Sequence, residues 1–287
     1  MTLADHRREY HRRVLQEIVR ISRDAKRKLE YPNLADSGNK ARIAIAWAIV
    51  GTIGQEIQAE PMAGQTSGGR FEEITRDFLE ATFSQLPHLR PGQWQYSTQL
   101  VISSFDQYEH LADLERIIKS NKELASSLGQ DYIVKPDIVV GRSPLSDETI
   151  NENGLFVNQE EGVAQLTPIR QANVVRQHSI LHASISCKWT LRSDRSQNAR
   201  TEALNLIRNR KGRVPHIMAV TAEPLPTRLA ALALGTGDLD CVYHVALPEL
   251  TKAVEQVENE DQADMLQMLV NGRRLRDIGD LPLDLAI

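Results

Sequence analysis

The clearest pattern along the chain is an alternation of apolar and small residues over residues 180–189, ILHASISCKW. A period of two is typical of a β-strand with one face buried. On such a strand Ser186 and Lys188 lie on one face, and Cys187 lies on the other. The predicted strand therefore ends in a cationic amine.

The first half of the chain is dominated by apolar residues at helical spacing. We expect an amphipathic surface or interface helix over residues 5–30 and a more apolar, buried helix over 39–57. Residues 64–69, GQTSGG, favour a flexible loop before a further helix over 70–84. The other predicted segments are a strand over 93–103, a charge-rich helix over 108–128, one strand or two short strands over 131–140, and a loop-rich stretch over 143–175.

The second half of the chain alternates between strands and helices. A helix is expected from Gln197, and the later predicted segments are strands over 214–221 and 239–247 and helices over 226–234 and 248–271. This alternation is typical of an α/β fold with a mixed central sheet flanked by helices. The 287 residues contain no linker-like composition, internal repeat or low-complexity segment, so we expect a single domain over residues 1–287 with a helical amino-terminal region and insertions.

The composition excludes several classes of protein. Hydrophobic residues make up 41% and charged residues 25% of the chain, as in ordinary globular proteins. No apolar run is long enough to span a bilayer, and the amino-terminal MTLADHRREYHRR is too charged for a signal peptide. We therefore expect a cytoplasmic protein with no membrane partner. Cys187 and Cys241 have no metal-ligand spacing and are expected to be reduced thiols.

The charge is unevenly distributed along the chain. A net charge of −4 and a pI near 6.1 argue against a protein that coats nucleic acid non-specifically. Between Lys188 and Arg213, however, eight basic residues accompany two acidic ones. A local excess of positive charge on a mildly acidic protein fits a groove that closes on one polyanion.

An amine and two carboxylates carry the candidate chemistry. Asp137 follows Pro136 at the head of an Ile-Val-Val run, where a buried acid needs a partner, and a divalent cation is the partner that we expect. Glu202 falls in the first turns of the helix after the Lys188 strand and can fold back beside the lysine. Asp137, Glu202 and the backbone carbonyl of Cys187 can hold a metal ion, while Lys188 can polarise water. Together these groups suit the hydrolysis of a phosphodiester.

Several of the conspicuous side chains also have structural explanations. Glu72 and Glu73 fall in the first turn of the helix predicted over 70–84, where the helix dipole favours acids. Trp189 is expected to be a packing residue, and residues 208–213 either touch phosphates or cover a helix end. The histidines in or near strand segments are expected in the core or beside the site rather than as ligands: His178, His182, His216 and His244.

The Pro-Asp pair, followed by a strand that ends in lysine, resembles the PD-(D/E)XK nuclease superfamily. One departure narrows the resemblance, because Ser186 stands where an acid usually precedes the lysine by two residues. Glu202 supplies the missing carboxylate from the following helix, as in the type IIF restriction endonucleases that recognise CCGG cores. The segments that resemble this family run nearly end to end: GQTSG, PDI, LHASISCKWT, ALNLIRNRKGR, TAEP, ALGTG, DCVYH and DLPLDLA.

The resemblance implies a restriction-endonuclease-like fold and a role for each matching residue. The catalytic residues that it implies are Asp137, Lys188, Glu202, the additional acid Glu72, and Ser186. It implies that Arg192, Asp194 and Arg195 read the inner CCGG, that Asp36 and Arg228 read the outer base pair, and that Gln65 contacts the minor groove. Arginine can donate two hydrogen bonds to guanine O6 and N7, and aspartate can accept from the cytosine N4 amine, so these residue types suit such a site.

The resemblance also implies an activity and an assembly. The activity is magnesium-dependent cleavage of double-stranded DNA at GCCGGC, after the first G, with two Mg²⁺ ions per active site. The assembly is a homotetramer, a dimer of dimers that holds two DNA copies. A cognate DNA methyltransferase is the further partner that such an enzyme implies in the cell.

Two other functions remain open from the residues. A structure-specific repair or recombination nuclease of the same fold would cut without sequence reading by residues 192–195. A cleavage-deficient, sequence-specific DNA-binding protein would account for Ser186 in place of an acid. The RSDR segment can also be a solvated, salt-bridged turn.

Overall fold

The computed structural model is built around a mixed β-sheet of six strands that follow one another in chain order. The described residues are 1–54, 64–120, 135–173, 178–191, 193–235 and 237–287. A hairpin of β1 (Ile21–Asp24) and β2 (Leu29–Pro32) precedes the sheet strands β3 (Trp94–Ser97), β4 (Ile138–Arg142), β5 (Ile180–Lys188), β6 (His216–Thr221), β7 (Cys241–His244) and β8 (Leu275–Asp277). The β3–β4 and β4–β5 pairs are antiparallel, whereas β5 to β8 run parallel.

Helices cover the sheet and connect its parallel strands. They are α1 (Leu3–Glu17), α2 (Lys40–Ile53), α3 (Gly64–Phe83), α4 (Glu109–Ser120), α5 (Asp147–Ile150), α6 (Ser193–Asn209), α7 (Pro226–Ala233), α8 (Leu247–Val257), α9 (Glu260–Asn271) and α10 (Leu281–Asp284). Helix α1 packs against α3, α2 against α8, and α7 against both α6 and α9. The predicted α/β fold with a mixed central sheet flanked by helices is confirmed.

Strand β5 lies inside the sheet between β4 and β6. Residues 181–187 are all buried, so the expectation that only one face of this strand is buried was wrong. The alternation of apolar and small side chains reflects different neighbours on the two faces rather than solvent on one of them. The small Ala183, Ser184 and Ser186 fit where neighbouring elements pack closely.

The amino-terminal segment forms a helix and a hairpin, not the single helix predicted over residues 5–30. Helix α1 ends at Glu17, and Ile18 and Val19 are fully buried as the chain turns away. The Asp24 side chain accepts hydrogen bonds from the backbone amides of Lys26 and Arg27, which closes the hairpin turn. Local turn chemistry therefore overrides the helical spacing of the apolar residues.

Helix α3 begins at Gly64, so the flexible loop predicted over residues 64–69 is helical instead. The glycines have poor helix propensity, but the apolar face that follows packs Phe71 and Ile74 fully into the core. Once such a helix is nucleated, adding a turn is far easier than starting one. Glu72 and Glu73 consequently lie in the third turn, so the explanation of both acids by the helix dipole at the first turn does not hold.

The remaining differences concern element length. The strand predicted over 93–103 is limited to β3, and the segment over 248–271 is split into α8 and α9. The described part of the predicted loop-rich stretch, residues 143–173, contains α5 and a short 3₁₀ turn and is otherwise loop. Strand β8 was not predicted. Residues 55–57, 121–128 and 131–134 of the predicted elements lie outside the described residues. No helix in the described ranges combines the length and apolarity that a bilayer crossing requires.

Candidate functional site

Antiparallel pairing of β4 with β5 brings the start of one strand to the end of the other. Asp137 immediately precedes β4, and its Oδ2 oxygen meets three consecutive residues of β5. It accepts hydrogen bonds from the Cys187 backbone N–H at 2.7 Å, from Lys188 Nζ at 2.8 Å and from Ser186 Oγ at 3.4 Å. The predicted lysine, acid and serine are therefore brought together in one half-buried site.

Two further acids approach this site from helices. One of these helices precedes β4 and β5 in the chain, and the other follows them. Glu72 lies on α3, and Glu202 lies on α6. Burial and the neighbouring charge of Asp137 raise the pKa of Glu72 to about 7. Burial also raises the pKa of Glu202, and Asp137 adds to this rise while Lys188 opposes it. Because both acids interact electrostatically with Asp137, the structure groups three carboxylates around one ammonium.

Lys188 is the cation that offsets these carboxylates. Burial alone would lower the pKa of its amine, but Asp137 and Glu202 raise the pKa above its usual value. The amine is therefore protonated at neutral pH, and its 2.8 Å ion pair with Asp137 Oδ2 fixes its direction. One positive charge among three acids leaves a site with excess negative charge, which suits the binding of cations.

Cys187 contributes its backbone rather than its thiol. Burial raises the pKa of the thiol well above its usual range, and the side chain lies near Thr75 of α3. A buried, neutral thiol is a poor nucleophile and a poor metal ligand. The chemistry available from this position is therefore that of the peptide group at the end of β5.

The donors at this site are oxygens, the type of ligand that hard divalent cations prefer. In the described ranges, all hydrogen bonds of the Asp137 side chain fall on Oδ2, which leaves Oδ1 available to a ligand. The raised pKa values of Glu72 and Glu202 indicate that their charges are not fully offset by the protein alone. Mg²⁺ prefers such carboxylate and carbonyl oxygens. Among the side chains that the structure describes, no three His, Cys, Asp or Glu residues are arranged closely enough to hold a metal by themselves.

Trp189, His182 and His244 have the buried surroundings that were predicted for them, whereas the expectation of a place in the core or beside the site was wrong for His178 and His216. The Trp189 ring packs edge-on against Phe71 of α3, with 5.3 Å between ring centroids, directly beyond Lys188. His182 and His244 are buried; His182 Nε2 is 2.8 Å from the Leu285 carbonyl, and His244 Nδ1 accepts from the Ala246 amide. His178 and His216 are partly exposed, and each lies near a carboxylate.

The residues expected to read DNA are only partly visible. Asp36 and Arg228, far apart in the chain, form an ion pair with 3.2 Å between Asp36 Oδ2 and Arg228 Nη2. Asp194 and Arg195 lie in the first turn of α6, which begins earlier than the Gln197 start that was predicted. Arg192 and the side chains of Asp194, Arg195 and Gln65 lie outside the described residues.

Sequence reasoning missed two buried charged residues beside this region, Arg42 and Glu223. Their side chains are 3% and 0% exposed, and they form a bidentate ion pair that also reaches Asp36. The only sequence signal was a charged residue inside each of two otherwise apolar segments. Such a residue is conspicuous only once its segment is known to be buried.

Comparison with known proteins agrees with this geometry. Residues 10–287 match the family described as NgoMIV restriction enzyme. The chain is 47% identical over 258 residues to the type II restriction enzyme NgoMIV of Neisseria gonorrhoeae, a match that covers 88% of this chain and 89% of that relative. The matched region includes the acids, the lysine and the strands that bring them together. The chain therefore belongs to the NgoMIV family of type II restriction enzymes, which are site-specific deoxyribonucleases.

Proposed function

We propose that this chain cuts double-stranded DNA in a magnesium-dependent reaction at the palindrome GCCGGC, after the first G. The observation that carries this proposal is the grouping of Asp137, Lys188, Glu202 and Glu72 where β4 and β5 meet. The family membership supports a restriction activity. The recognition sequence and the cut position are inferred from the residues that match those of the CCGG-recognising group.

The metal ligands in this proposal are the carboxylates of Asp137 and Glu202 and the backbone carbonyl of Cys187. Type II restriction enzymes generally use a divalent metal ion, and the hard oxygen donors here suit Mg²⁺. When bound, two such ions per site neutralise charge on the phosphate and lower the pKa of the attacking water. The pKa values of Glu72 and Glu202, raised by burial and by the neighbouring charge of Asp137, support this assignment.

The chain's own side chains supply charge and proton control. Lys188, held by Asp137, presents an ammonium that orients water and stabilises charge developing on the phosphate. Glu72, with a pKa of about 7, can exchange a proton near neutral pH. Ser186 donates to Asp137 Oδ2 at 3.4 Å, so it orients the acid without adding a further negative charge.

Sequence recognition in this proposal comes from residues 192–195, which follow the carboxyl end of β5, and from Asp36, Arg228 and Gln65 elsewhere in the chain. Arg192 and Arg195 donate to guanine, and Asp194 accepts from the cytosine amines of the inner CCGG. Asp36 and Arg228 read the outer base pair, and Gln65 contacts the minor groove. The ion pair of Asp36 with Arg228 supports a common role, because it brings a donor and an acceptor to one surface.

We also propose a homotetramer made of two dimers, which binds two DNA copies. A palindromic site calls for a two-fold dimer in which each subunit cuts one strand. Further association is supported by large apolar side chains that are exposed on the segment between β4 and β5: Leu155, Phe156, Val163 and Leu166. A cell that contains this activity must protect its own sites, which implies a cognate DNA methyltransferase.

Digestion of a sequenced plasmid tests the proposed function. With Mg²⁺ the expected products are discrete fragments whose lengths match the spacing of GCCGGC sites, and EDTA should abolish them. A smear, cutting only at branched substrates, or stable binding without cutting would each contradict the proposal. A plasmid from which every GCCGGC has been removed by substitution is the matched control and should stay intact.

A further inference from the structure

A buried ion pair joins two elements that are far apart in the sequence. Arg42 lies in the first turn of α2, and Glu223 follows β6. Arg42 Nε donates to Glu223 Oε1 at 2.8 Å, and Arg42 Nη2 donates to the other oxygen. With side chains 3% and 0% exposed, neither residue is accessible to DNA. A bidentate pair of this kind fixes both the distance and the relative orientation of the elements that carry it.

The pair holds the backbone immediately before the predicted inner-core readers. Glu223 Oε2 accepts a hydrogen bond from the Leu191 N–H at 2.8 Å, and the Leu191 carbonyl accepts one from Arg228 Nη1 at 3.2 Å. Leu191 is itself buried and directly precedes Arg192. The backbone N–H and C=O of Leu191 are thus both bound by side chains from outside the local segment. The direction of the chain after β5 therefore depends on Glu223 and Arg228.

The same pair holds the predicted outer-pair readers. Arg42 Nη1 donates to Asp36 Oδ2, and this oxygen also pairs with Arg228. Asp36 and Arg228 are 41% and 34% exposed, so they form the accessible end of a network whose buried end is Arg42 and Glu223. Although partial burial opposes it, the guanidinium of Arg42 lowers the pKa of Asp36 below its usual value. Asp36 is therefore held in place as a charged acceptor.

Stability alone does not explain this arrangement. A buried ion pair contributes little net stability compared with an apolar pair of the same size, whereas it can specify one geometry. Here the geometry that it specifies is the position of the Leu191 backbone, directly before Arg192 in the chain, relative to the Asp36–Arg228 pair. We propose that Arg42 and Glu223 are positioning residues for sequence specificity, which couple reading of the outer base pair to reading of the CCGG core. This inference rests on the proposed roles of Asp36, Arg228 and Arg192.

The test compares cleavage of the four duplexes ACCGGT, CCCGGG, GCCGGC and TCCGGA by wild type and by Glu223→Gln. Glutamine keeps the shape of the side chain but cannot accept from Arg42 and Leu191 with both oxygens. We expect the ratio of kcat/KM values between the preferred duplex and the other three to fall by about tenfold or more. Arg42→Lys, which keeps the charge but loses the bidentate geometry, should give an intermediate loss.

Glu249→Gln is the matched control. Glu249 pairs with Arg7, which also binds Asp277, in a partly buried network that joins α1, α8 and β8. This variant should lose stability without any change in the discrimination ratio. The double variant Arg42→Met/Glu223→Met separates positioning from folding. A protein usually still folds when a buried ion pair is replaced by an apolar pair of similar volume. The double variant should melt cooperatively and still discriminate poorly.

The outcomes separate this inference from the proposed function. A wild type that prefers another of the four duplexes contradicts the proposed recognition site, yet loss of that preference in Glu223→Gln still supports the positioning role. If wild type cuts none of them, binding of the four duplexes in Ca²⁺ provides the same ratio without cleavage. An unchanged ratio in folded Glu223→Gln and in the double variant overturns the inference, as does a wild type without any preference.

Discussion

Asp137 is the residue on which the site depends most. Its Oδ2 oxygen accepts from three consecutive residues of β5, so the acid, the lysine and the strand end form one rigid unit. Removing this carboxylate would disturb all three partners. An effect of the substitution on folding could then not be distinguished from an effect on catalysis. Glu202 is the better residue to substitute. It approaches from α6, and its electrostatic partners Lys188 and Asp137 form an ion pair with each other that does not depend on it.

Glu202→Ala is expected to abolish cleavage while specific DNA binding is largely retained. Because Ser186 has no carboxylate to offer, the proposed function assigns the second acid at the metal to Glu202. The measurement is single-turnover cleavage at saturating Mg²⁺ alongside binding in Ca²⁺, with Glu255→Ala on the exposed side of α8 as the control. Turnover within about tenfold of wild type, a barrier change of only about 1.4 kcal/mol, would refute the role of Glu202.

Glu72 should make stability depend on pH in a defined direction. Its folded pKa of about 7 lies above the ordinary value of 4.5, so between these values the folded chain binds more protons than the unfolded chain. Its contribution therefore becomes unfavourable as pH rises from about 4.5, and the full cost is present above pH 7.

Glu72→Gln should consequently stabilise the metal-free protein at pH 8, by about 1 kcal/mol once solvent screening of this half-buried group is allowed for. The gain should vanish below about pH 4.5, where both states become protonated. Urea unfolding at several pH values measures it, with Glu73→Gln as the neighbouring exposed control. A gain that is constant with pH would show that the raised pKa is not its source.

The chemistry of single residues was more predictable than their surroundings. An acid after proline at the head of an apolar run needs a partner, and the sequence analysis expected a divalent cation there rather than the lysine that Asp137 contacts in the structure. The convergence of Asp137 and Lys188 was expected from the resemblance to PD-(D/E)XK nucleases. Arg42 and Glu223 could not be predicted in the same way, because their partners lie 181 positions apart in the chain and only the tertiary fold brings them together.

At the scale of elements, the start of α6 is the part on which the proposed recognition depends. This helix begins at Ser193, two residues after Leu191, whose backbone amide donates to Glu223. The backbone of Asp194 and Arg195 is therefore helical rather than part of a free loop. In the proposed role of these residues, a helical backbone would give them a fixed spacing, as in other proteins that present a helix end to the major groove.

Asp194→Ala and Arg208→Ala should differ in how they weaken binding. Loss of Asp194 should cost about 1–3 kcal/mol per reading contact and relax discrimination at the cytosines. Arg208, exposed in the last turn of α6, should weaken binding evenly across sequences if it touches phosphate. Titrations on matched and single-mismatch duplexes distinguish the two patterns. An equal loss on every duplex for Asp194→Ala would exclude a base-reading role.

The elements themselves were predicted unevenly. Strands that alternate with helices in the second half follow from strong periodicity, and all of them are found. The errors lie where turn chemistry or tertiary packing overrides local preference. The β1–β2 hairpin, whose turn Asp24 closes, replaces the second half of the predicted amino-terminal helix, and packing of α3 extends α3 through a glycine-rich start. A one-dimensional pattern does not contain the neighbours that decide such cases.

At the scale of the whole molecule, the open question is assembly. In a tetramer that binds two sites, the second site on one plasmid is captured intramolecularly and at high effective concentration. A one-site plasmid must instead recruit a partner in trans. The exposed apolar residues between β4 and β5 provide surface for such an association.

A two-site plasmid should therefore be cut faster than a one-site plasmid, with all four strands cut in one encounter. A short duplex that carries the site should rescue the one-site plasmid, whereas the same duplex with a scrambled core should not. Cleavage rates and the mass in solution are the two measurements. Equal rates on both plasmids together with a dimeric mass would contradict the tetramer and leave a dimeric endonuclease.

In the proposed function, the site formed by Asp137, Lys188, Glu202 and Glu72 cleaves DNA at one position of one palindrome. Mapping the cut at nucleotide resolution on a duplex labelled at both 5′ ends tests this most directly. With Mg²⁺, each strand of GCCGGC should be cut after its first G, which leaves 5′ overhangs of CCGG. Cuts at other positions, cuts in a duplex with a scrambled core, or cleavage that persists in EDTA would contradict the proposed function.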